Sequence, residues 1–332
     1  MKASILKGIN QTLVFEETSN PIPEADEVVV KVKAAALNHR DVWIQKGQYA
    51  GLTFPIILGS DGSGIVSSAG SSENEHLVGK EVIINPSLNW GENPRVQAKD
   101  YIILGLPKNG CLAEEVSIPA RLVHEKPAHL SFEQAAALPL AGLTAYRAAM
   151  VRAAIKPGET VLVTGAGGGV ALFCIQYAVA QGCKVFVTSG SNEKIEKAIA
   201  LGAIGGVNYK NEDWHKALVK LSGGFDATID SACGDNFAKL ADMAKPGGRI
   251  AFYGATLGAF NSGVPAKIFW KQLDILGSTM GNDEEFKAML EFVNKHKIVP
   301  VVDEVFPLAN AEAAMRKMDE GKQFGKIVLT TL

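Results

Sequence analysis

The sequence contains little cysteine, and its arrangement suggests neither a disulfide framework nor a metal site. The four cysteines, Cys111, Cys174, Cys183 and Cys233, form no CxxC pair and no cluster with histidine. Cys174 falls in an apolar stretch, where a buried and unreactive thiol is the simplest interpretation. Disulfide scaffolds and cysteine-ligated structural zinc are therefore not predicted.

An excess of charge of either sign is also missing. The 332 residues include 33 Lys and Arg and 35 Asp and Glu, which gives a net charge of -2. Such a chain has neither a basic field that attracts nucleic acid nor a polybasic segment for a membrane surface. We therefore expect a small-molecule partner and neither a nucleic-acid nor a membrane partner.

A targeting or membrane-spanning segment is not evident. Lys7 and Gly8 interrupt the amino terminus before it reaches the apolar length of about 7–15 residues that a signal peptide needs. The uncharged stretch 160–183 is broken by glycines at 165–169, so it is better interpreted as a strand, a turn and a helix than as a membrane span. The expected location is the cytoplasm.

Two kinds of pattern are present, and they change near residue 125. Before it, short β-rich runs at 28–32, 56–59 and 82–84 are separated by Gly and Pro, which predicts a small barrel-like β domain. The polar segment 85–104 is a long excursion from this domain. From about 130 onward, strands alternate with helices, which predicts a parallel, doubly wound α/β sheet.

A glycine-rich turn follows the apolar strand at 161–164 and precedes an apolar helix. Its residues are Gly165, Ala166, Gly167, Gly168, Gly169, Val170 and Ala171. Glycines here allow the sharp turn and the close approach of backbone to a pyrophosphate, and the helix start supplies N–H groups and a favourable dipole. The turn predicts a dinucleotide site, although S-adenosylmethionine and flavin sites use similar turns.

The strand after the turn bears on which cofactor binds. An acidic residue about 20 residues on usually binds the ribose hydroxyls of NAD, but this chain has Ser189 there, with Ser191 and Lys194 close behind. Hydroxyls and an ammonium suit the 2′-phosphate of NADP(H), which is the predicted cofactor. NAD(H) stays open, because Ser191 and Asn192 are also good helix caps and Lys194 can be a solvated surface residue. The missing acid disfavours S-adenosylmethionine.

Several further stretches resemble the medium-chain dehydrogenase/reductase superfamily over essentially the whole chain. They are residues 35–41, 58–64, 138–146, the glycine turn and 324–329, and the most similar branch is the zinc-independent, quinone-oxidoreductase-like group. The resemblance implies a Rossmann-type sheet at 128–279 and a chaperonin-10-like β-barrel catalytic domain formed by 1–127 and 280–332. It also implies a homodimer.

The resemblance also bears on metal. Zinc-dependent members need a cysteine where this chain has Asn38, a His-Glu pair where it has Ser60 and Asp61, and a further Cys or His near Leu140. These side chains do not form a good zinc site, so catalytic zinc is not expected. The structural-zinc lobe of the family corresponds to 85–104, which contains no cysteine.

Without zinc, the chemistry favours substrates that accept hydride readily, namely quinones and double bonds conjugated to a carbonyl. By resemblance, Asn38, Asp41 and Trp43 line the catalytic cleft and Thr144 lies beside the nicotinamide. Asp41 can equally be a buried structural acid. His39 is either a proton relay or a structural histidine.

The remaining predicted cofactor contacts follow later strands. Tyr209 matches a position near the adenosine phosphate in NADPH-using relatives, although ordinary packing at a strand end explains it equally well. The others lie at carboxyl ends of strands, where open α/β sheets bind ligands: Ser231, Gly254, Ala255, Thr256, Gly277 and Ser278.

The sequence thus predicts an NADPH-dependent, zinc-free reductase of quinones or enones. One alternative is an enoyl-thioester or alkenal reductase of the same fold. Another is a catalytically weak dinucleotide-binding sensor, because the set of Asn38, Asp41 and Trp43 is chemically plain. A methyltransferase is the least favoured.

Overall fold

The computed structural model describes residues 1–260 and 265–331 and divides the chain into two compact units. Residues Met1–Ala141 and Gly281–Leu332 form the first unit, and Gly142–Met280 form the second. Among the described residues, no helix has both the length and the apolar character needed to cross a membrane.

The secondary structure up to the first unit boundary is mainly strand. The strands are β1 (Lys2–Leu6), β2 (Val14–Glu17), β3 (Glu27–Ala36), β4 (Ile56–Ile57), β5 (Asp61–Ala69), β6 (Glu81–Ile84), β7 (Ser87–Leu88), β8 (Ile102–Ile103), β9 (Glu115–Pro119) and β10 (Val123–Glu125). The helices are α1 (His39–Gln45), α2 (Phe132–Ala136) and α3 (Pro139–Tyr146), and α3 runs across the boundary.

The second unit alternates strand and helix, and the chain then returns to the first unit. The second unit contains β11 (Thr160–Val163), α4 (Gly169–Ala180), β12 (Lys184–Ser189), α5 (Asn192–Ala200), β13 (Gly205–Asn208), α6 (Trp214–Ser222), β14 (Phe225–Asp230), α7 (Phe237–Met243), β15 (Ala244–Phe252), α8 (Pro265–Lys271) and β16 (Asp274–Gly277). The returning segment contains α9 (Asp283–His296), β17 (Val302–Pro307), α10 (Ala311–Asp319) and β18 (Lys326–Thr330).

In the first unit, β3 is the strand around which the largest sheet is organised. It pairs with β5 on one side and with β18 on the other, in the order β10-β6-β5-β3-β18-β17, and β9 also pairs with β3. The apolar side chains of β3, β5 and β6 pack with those of α10 into one core. The predicted β domain is therefore present, and its sheet includes the carboxyl-terminal strand.

The second unit is a six-stranded parallel sheet in the order β13-β12-β11-β14-β15-β16. The chain starts at the centre, moves outward to β13 and returns to the other side at β14, which is the doubly wound order of dinucleotide-binding sheets. All four residues of β11 are buried, as expected of a strand covered on both faces. The predicted parallel sheet is confirmed.

One strand of this sheet begins irregularly. The helix α7 ends at Met243, and β15 begins at once with Ala244. Ala244 pairs with Phe225, and the register with β14 then shifts before Arg249 pairs with Ala227. Gly247 has a φ of +72°. Pro246 and Gly247 thus form an irregularity inside the strand.

The first unit extends past the predicted division at residue 127, because α2 packs on its sheet. The Ser63 hydroxyl on β5 donates to the carbonyl of Phe132 at 2.6 Å. Ala136 and Ala137 pack against Ala34 and Val328. The helix therefore belongs with β3, β5 and β18.

The excursion 85–104 is a packed structure with an aromatic centre. Trp90 is only 4% exposed, meets Tyr101 edge-on with ring centroids 5.3 Å apart, and donates from Nε1 to the carbonyl of Asn93. Its own carbonyl accepts from Ala98 N at 2.7 Å. Aromatic packing and backbone hydrogen bonds hold this lobe together.

Candidate functional site

The glycine turn leaves β11 in a conformation that only some of its residues adopt without strain. Gly165 has a φ of +70° and Gly167 a φ of +122°, so both positions favour glycine. Gly168 is the N-cap of α4 and has no capping side chain. Because no side chain at Gly168 caps the first turn of α4, the N–H groups of that turn can bind an anion.

Lys194 on α5 lies against this turn. A Cβ added at Gly167 would stand 2.7 Å from Lys194 Cδ and 3.4 Å from its Nζ. The absence of a side chain at Gly167 therefore makes room for the lysine, whose positive charge is held beside the predicted phosphate site.

The Ser189 hydroxyl has a partner inside the glycine turn. Its side chain is buried, and the hydroxyl donates to the carbonyl of Ala166 at 3.0 Å. This hydrogen bond fixes the turn, and the predicted contact of Ser189 with the cofactor stays a prediction. Ser191 is the N-cap of α5 and accepts from Lys194 N at 3.4 Å, as the helix-cap alternative proposed, and its contact with a phosphate stays a prediction.

Tyr209 lies beside the same segment at the end of β13. Its backbone N donates to the carbonyl of Ser189 at 3.1 Å, and its side chain is 45% exposed. A Cβ at Gly190 would lie 2.7 Å from the Tyr209 hydroxyl and 3.2 Å from Lys210 Cε. Lys210 is a residue that the sequence analysis missed, and its signal was its position directly after a strand of the parallel sheet.

The ends of β14, β15 and β16 reach the same edge of the sheet. A Cβ at Gly165 would lie 3.2 Å from the Ser231 hydroxyl, and Thr256 donates from its hydroxyl to the Ser231 carbonyl at 3.3 Å. Ala255 and Gly277 are exposed. Ser278 N donates to the carbonyl of Phe252 at 2.9 Å, while its hydroxyl is buried and has no hydrogen-bond partner among the described residues.

Asp230, at the end of β14, was not predicted as a site residue. Its Oδ1 accepts from the Thr164 hydroxyl at 2.6 Å, and its Oδ2 accepts from the backbone N of Cys233 at 2.7 Å and of Ala232 at 3.2 Å. Burial raises the pKa of this carboxyl in spite of these hydrogen bonds. Asp230 fixes the loop that carries Ser231, and an acid ending an apolar strand was the available signal.

Thr144 lies on α3 and is 6% exposed. Its hydroxyl donates to Met280 Sδ at 3.7 Å. Because a thioether is a weak acceptor, a stronger acceptor on a ligand would take this hydrogen. Its predicted contact with the nicotinamide stays a prediction.

In the first unit, Asp41 is fully buried, as the structural-acid alternative has it. Its Oδ2 accepts from the backbone N of Asn38 at 2.8 Å, across the start of α1. Burial raises the pKa of Asp41, although the Arg40 charge opposes this shift. Asp41 thus supports the backbone of Asn38, and its predicted place in the cleft stays a prediction.

Asn38 belongs to a buried cluster that also contains Asp61 and Lys326. The Lys326 ammonium donates to Asn38 Oδ1 at 2.7 Å, to Asp61 Oδ2 at 2.8 Å and to the carbonyl of Leu37 at 2.7 Å. Asn38 Nδ2 donates to the same Asp61 oxygen at 2.9 Å, and Asp61 Oδ1 accepts from Leu140 N at 2.8 Å. We call these three residues the Asn38–Asp61–Lys326 cluster.

A second buried cation lies near this cluster. Arg40 is 6% exposed and donates from Nη1 to the Ser60 hydroxyl at 2.7 Å and to the carbonyl of Leu104 at 2.8 Å. Ser60, Asn38 and Asp61 are three of the positions at which zinc-dependent enzymes of the resembled superfamily place ligands. Here all three accept hydrogen bonds from Lys or Arg.

Trp43 and His39 lie one turn apart on α1. Trp43 is 39% exposed, and the His39 ring lies tilted toward it with centroids 6.2 Å apart. Desolvation, followed by the charge of Lys326, lowers the pKa of His39. The His39 residue is nevertheless exposed to solvent, and the lowered pKa favours its neutral form.

Two family models match the chain. Residues 24–128 match the alcohol dehydrogenase GroES-like domain, and residues 169–295 match the zinc-binding dehydrogenase domain. The first match confirms the predicted chaperonin-10-like fold of the β unit, and the second covers most of the parallel sheet.

Similar proteins extend over the whole chain. Zinc-type alcohol dehydrogenase-like protein YogA from Leptosphaeria maculans is 38% identical, over 96% of this chain and 94% of that protein. Quinone oxidoreductase-like protein 2 from Bos taurus is 30% identical, over 99% of this chain and 92% of that protein. A crystal structure of an NAD-dependent alcohol dehydrogenase is 38% identical with a TM-score of 0.92, and all of both chains is covered.

Proposed function

The chain belongs to the medium-chain dehydrogenase/reductase superfamily and is an NAD(P)-dependent oxidoreductase, and from this premise we propose its specific reaction. We propose that it transfers hydride from NADPH, without zinc, to a quinone or to a double bond conjugated to a carbonyl. The observation that carries the proposal is the Asn38–Asp61–Lys326 cluster, which places a buried ammonium among the oxygens that would otherwise hold a metal.

The side chains at the zinc-ligand positions do not fit that metal. Zinc in catalytic sites takes three ligands from thiolate, imidazole and carboxylate, whereas Asn38 and Ser60 offer an amide and a hydroxyl. Asp61 supplies the one carboxylate, and Lys326 neutralises it at 2.8 Å. A divalent ion there would displace or repel Lys326, which is 4% exposed and has no solvent to move into. No step of the proposed reaction uses zinc.

The second unit fits a dinucleotide. Gly165 to Val170 would hold the pyrophosphate through backbone N–H groups, and Ser231 with residues 254–256 would border the dinucleotide at the same edge. Lys194 lies against Gly167, and Tyr209 and Lys210 lie against Gly190. Two lysines beside the turn and the strand that follows it support a 2′-phosphate there and hence NADPH. The 38% identical structure described as NAD-dependent favours the alternative, NADH.

Bound NADPH would supply the hydride. The chain's own contribution is to orient the acceptor and to stabilise the negative charge that develops on its oxygen. We assign the hydrogen bond to this oxygen to Asn38 Nδ2, which has one N–H left after donating to Asp61; the residue as a whole is 8% exposed. Trp43 supplies an exposed apolar wall, and water supplies the proton. We retain Thr144 as a residue beside the nicotinamide.

An NADPH and NADH titration tests the cofactor. The wild type is expected to bind NADPH more tightly, and Lys194→Ala to weaken NADPH about 10-fold while leaving NADH unchanged, because one charge-assisted contact is lost. Lys197→Ala is the matched control, one turn further along α5 and paired with Glu193 at 2.7 Å. Equal affinities of the wild type for the two cofactors would contradict the 2′-phosphate assignment.

A substrate panel tests the reaction. Quinones and enones should be reduced with NADPH, and simple alcohols should be oxidised slowly or not at all, because alcohol oxidation relies on a metal to polarise the oxygen. Enoyl thioesters and alkenals belong in the panel, since the same chemistry serves them. Turnover of alcohols alone would favour the activity named for the alcohol dehydrogenase relatives, and binding without turnover would favour a sensor.

Location and assembly are also proposals. All four cysteines are unpaired, which suits the reducing cytoplasm. A homodimer would cover the exposed aromatic side chains of α8, where Phe269 is 68% and Trp270 83% exposed. Light scattering should give twice the chain mass, and Trp270→Ser should shift the protein toward the monomer; a monomeric wild type would contradict the proposal.

A further inference from the structure

We propose that Lys326 is a positioning residue for hydride transfer: its buried ammonium fixes and polarises the side-chain amide of Asn38, which donates to the substrate oxygen. This inference rests on the proposed function for the nature of that oxygen. It adds a role for a residue in the carboxyl-terminal strand, far from Asn38 in sequence.

The sheet register explains why these residues meet. Ala36, the last residue of β3, pairs with Asp61 on β5 and with Val328 on β18. The end of β3 is therefore flanked by the start of both neighbouring strands. Asn38 follows β3 and begins α1, so its side chain lies between a carboxylate from one strand and an ammonium from the other.

Lys326 cannot contact a ligand itself. An ammonium has three donors, and those of Lys326 are given to Leu37, Asn38 and Asp61 at 2.7 to 2.8 Å. Its side chain is 4% exposed and that of Asp61 is fully buried. Any effect of Lys326 on the reaction must therefore pass through one of these partners, and Asn38 is the one with an N–H left for a ligand.

The two charged neighbours determine the orientation of the Asn38 amide. Its oxygen faces the ammonium and its nitrogen faces the carboxylate. Rotating the amide by half a turn would bring NH₂ against Lys326 and oxygen against Asp61, and both contacts would be repulsive in a low-dielectric environment. The second N–H of Asn38 is therefore held in one orientation.

The same contact strengthens Asn38 as a donor. Positive charge at the amide oxygen draws electron density from the nitrogen, and hydrogen bonds in such a chain polarise one another. Bound NADPH would give up its hydride and be oxidised to NADP⁺. The electrophilic carbon of the substrate would gain the new C–H bond while the π electrons move to the substrate oxygen. That oxygen becomes an enolate or hydroquinone anion, receives the Asn38 hydrogen bond and is protonated by water.

A kinetic double-mutant cycle tests whether Lys326 acts through Asn38. Asn38→Ala should lower kcat about 100-fold, as expected for loss of one oxyanion donor, and Lys326→Met about 10-fold, as for loss of a supporting contact. The double variant should fall within about twofold of Asn38→Ala. A further full 10-fold loss in the double variant would overturn the proposal. NADPH affinity, which depends on the second unit, should stay unchanged throughout.

A variant that lacks both buried charges controls for misfolding of the single variants. Asp61→Asn with Lys326→Met removes both buried charges together, so the fold and the NADPH affinity should be retained. Its kcat should stay about 10-fold below that of the wild type, because the amide oxygen has lost its cation. Wild-type kcat in this variant would overturn the proposal.

Nuclear magnetic resonance separates this inference from the substrate assignment. The Asn38 side-chain NH₂ signal is identified by its loss in Asn38→Ala. It should be shifted and slow to exchange in the wild type and should move to ordinary values in the Asp61→Asn, Lys326→Met variant. An unchanged signal would contradict the role of Lys326. A wild type that reduces neither quinones nor enones contradicts the proposed function alone.

Discussion

The carboxyl edge of the parallel sheet and the Asn38–Asp61–Lys326 cluster are built in opposite ways. The first is made mainly of backbone: glycines with positive φ, a helix start without a capping side chain, and one serine that holds the turn. The second is made of side chains, with a buried ammonium, carboxylate and amide that satisfy one another. The backbone site suits a ligand that brings its own charge, whereas the side-chain site is neutral as a whole.

This difference determines how each region responds to substitution. A backbone cradle fails when a side chain enters it or when its φ angles become costly. A buried ion pair fails when one charge loses its partner, and it tolerates replacement of both. Substitutions at Lys326, His124, Gly167 and Trp90, each with a control, compare these behaviours.

The largest effect is expected in the charged cluster. Lys326→Met should lower the free energy of unfolding by about 3–5 kcal/mol, because it leaves Asp61 buried without a counter-charge. Combining it with Asp61→Asn should restore most of that loss. Denaturant unfolding measures both. Lys7→Met, which breaks the exposed pair with Glu16, should cost less than about 1 kcal/mol; a similar loss in both lysine variants would contradict the argument.

The pH dependence of the free energy of unfolding is a second property that depends on buried side chains of the first unit. Desolvation of His124 lowers its pKa from 6.5 to about 4. A lowered folded-state pKa contributes stability above the unfolded value of 6.5, and this is lost as pH falls toward about 4. The expected loss is about 2–3 kcal/mol, reduced for partial exposure.

This loss of stability at low pH is tested by measuring the unfolding of His124→Asn from pH 7 to pH 4. The variant should lose less stability than the wild type over that range. His76→Asn is the control, because His76 is exposed on a short 3₁₀ turn. Parallel curves for the wild type and His124→Asn would refute the assignment. Asp41 and Asp230 have raised pKa values and act with the opposite sign, so only the difference between variants is informative.

The backbone cradle should show a smaller change in stability and a clearer change in binding. Gly167→Ala would force a side chain to a φ of +122° and against Lys194, at a cost of about 1–3 kcal/mol. NADPH affinity should fall about 10- to 100-fold, measured by fluorescence titration. Gly247 also has a positive φ, +72°, but with open space around it, so Gly247→Ala should leave NADPH affinity unchanged. Unchanged affinity in Gly167→Ala would argue against the cradle.

The smallest effect is expected for a conservative substitution in the aromatic lobe. Trp90→Phe keeps an aromatic ring but removes the hydrogen bond to Asn93, so the free energy of unfolding should drop by about 1 kcal/mol. Trp90→Ala should cost about 3 kcal/mol or more. Chelators should not change the free energy of unfolding of either Trp90 variant. Chelator-sensitive unfolding would show that a metal, rather than Trp90, holds the lobe.

The same contrast explains what the sequence predicts. The glycine turn is recognisable because strand, turn and helix are adjacent in the chain, and the alternation of strands and helices predicts the parallel sheet. The positions of Asn38 and Asp61 were recognised by resemblance. Lys326 was not assigned a role, because its meaning depends on the pairing of β18 with β3, which joins residues 288 apart. A lysine at the start of an otherwise apolar strand was the only local sign.

Ser189 and Asp41 show a second limit. Both are polar residues at positions suited to a ligand, and the structure gives both to the backbone: Ser189 to Ala166 and Asp41 to Asn38. Sequence places a side chain near a site but does not show whether its hydrogen-bonding capacity is already used. That depends on burial and on neighbours brought by the fold.

The zinc content of the purified, active protein tests the central claim most directly. The cluster predicts far less than one zinc per chain by elemental analysis, with NADPH-dependent reduction unchanged after dialysis against a chelator. One zinc per chain, with activity lost on its removal and restored on its return, would contradict it.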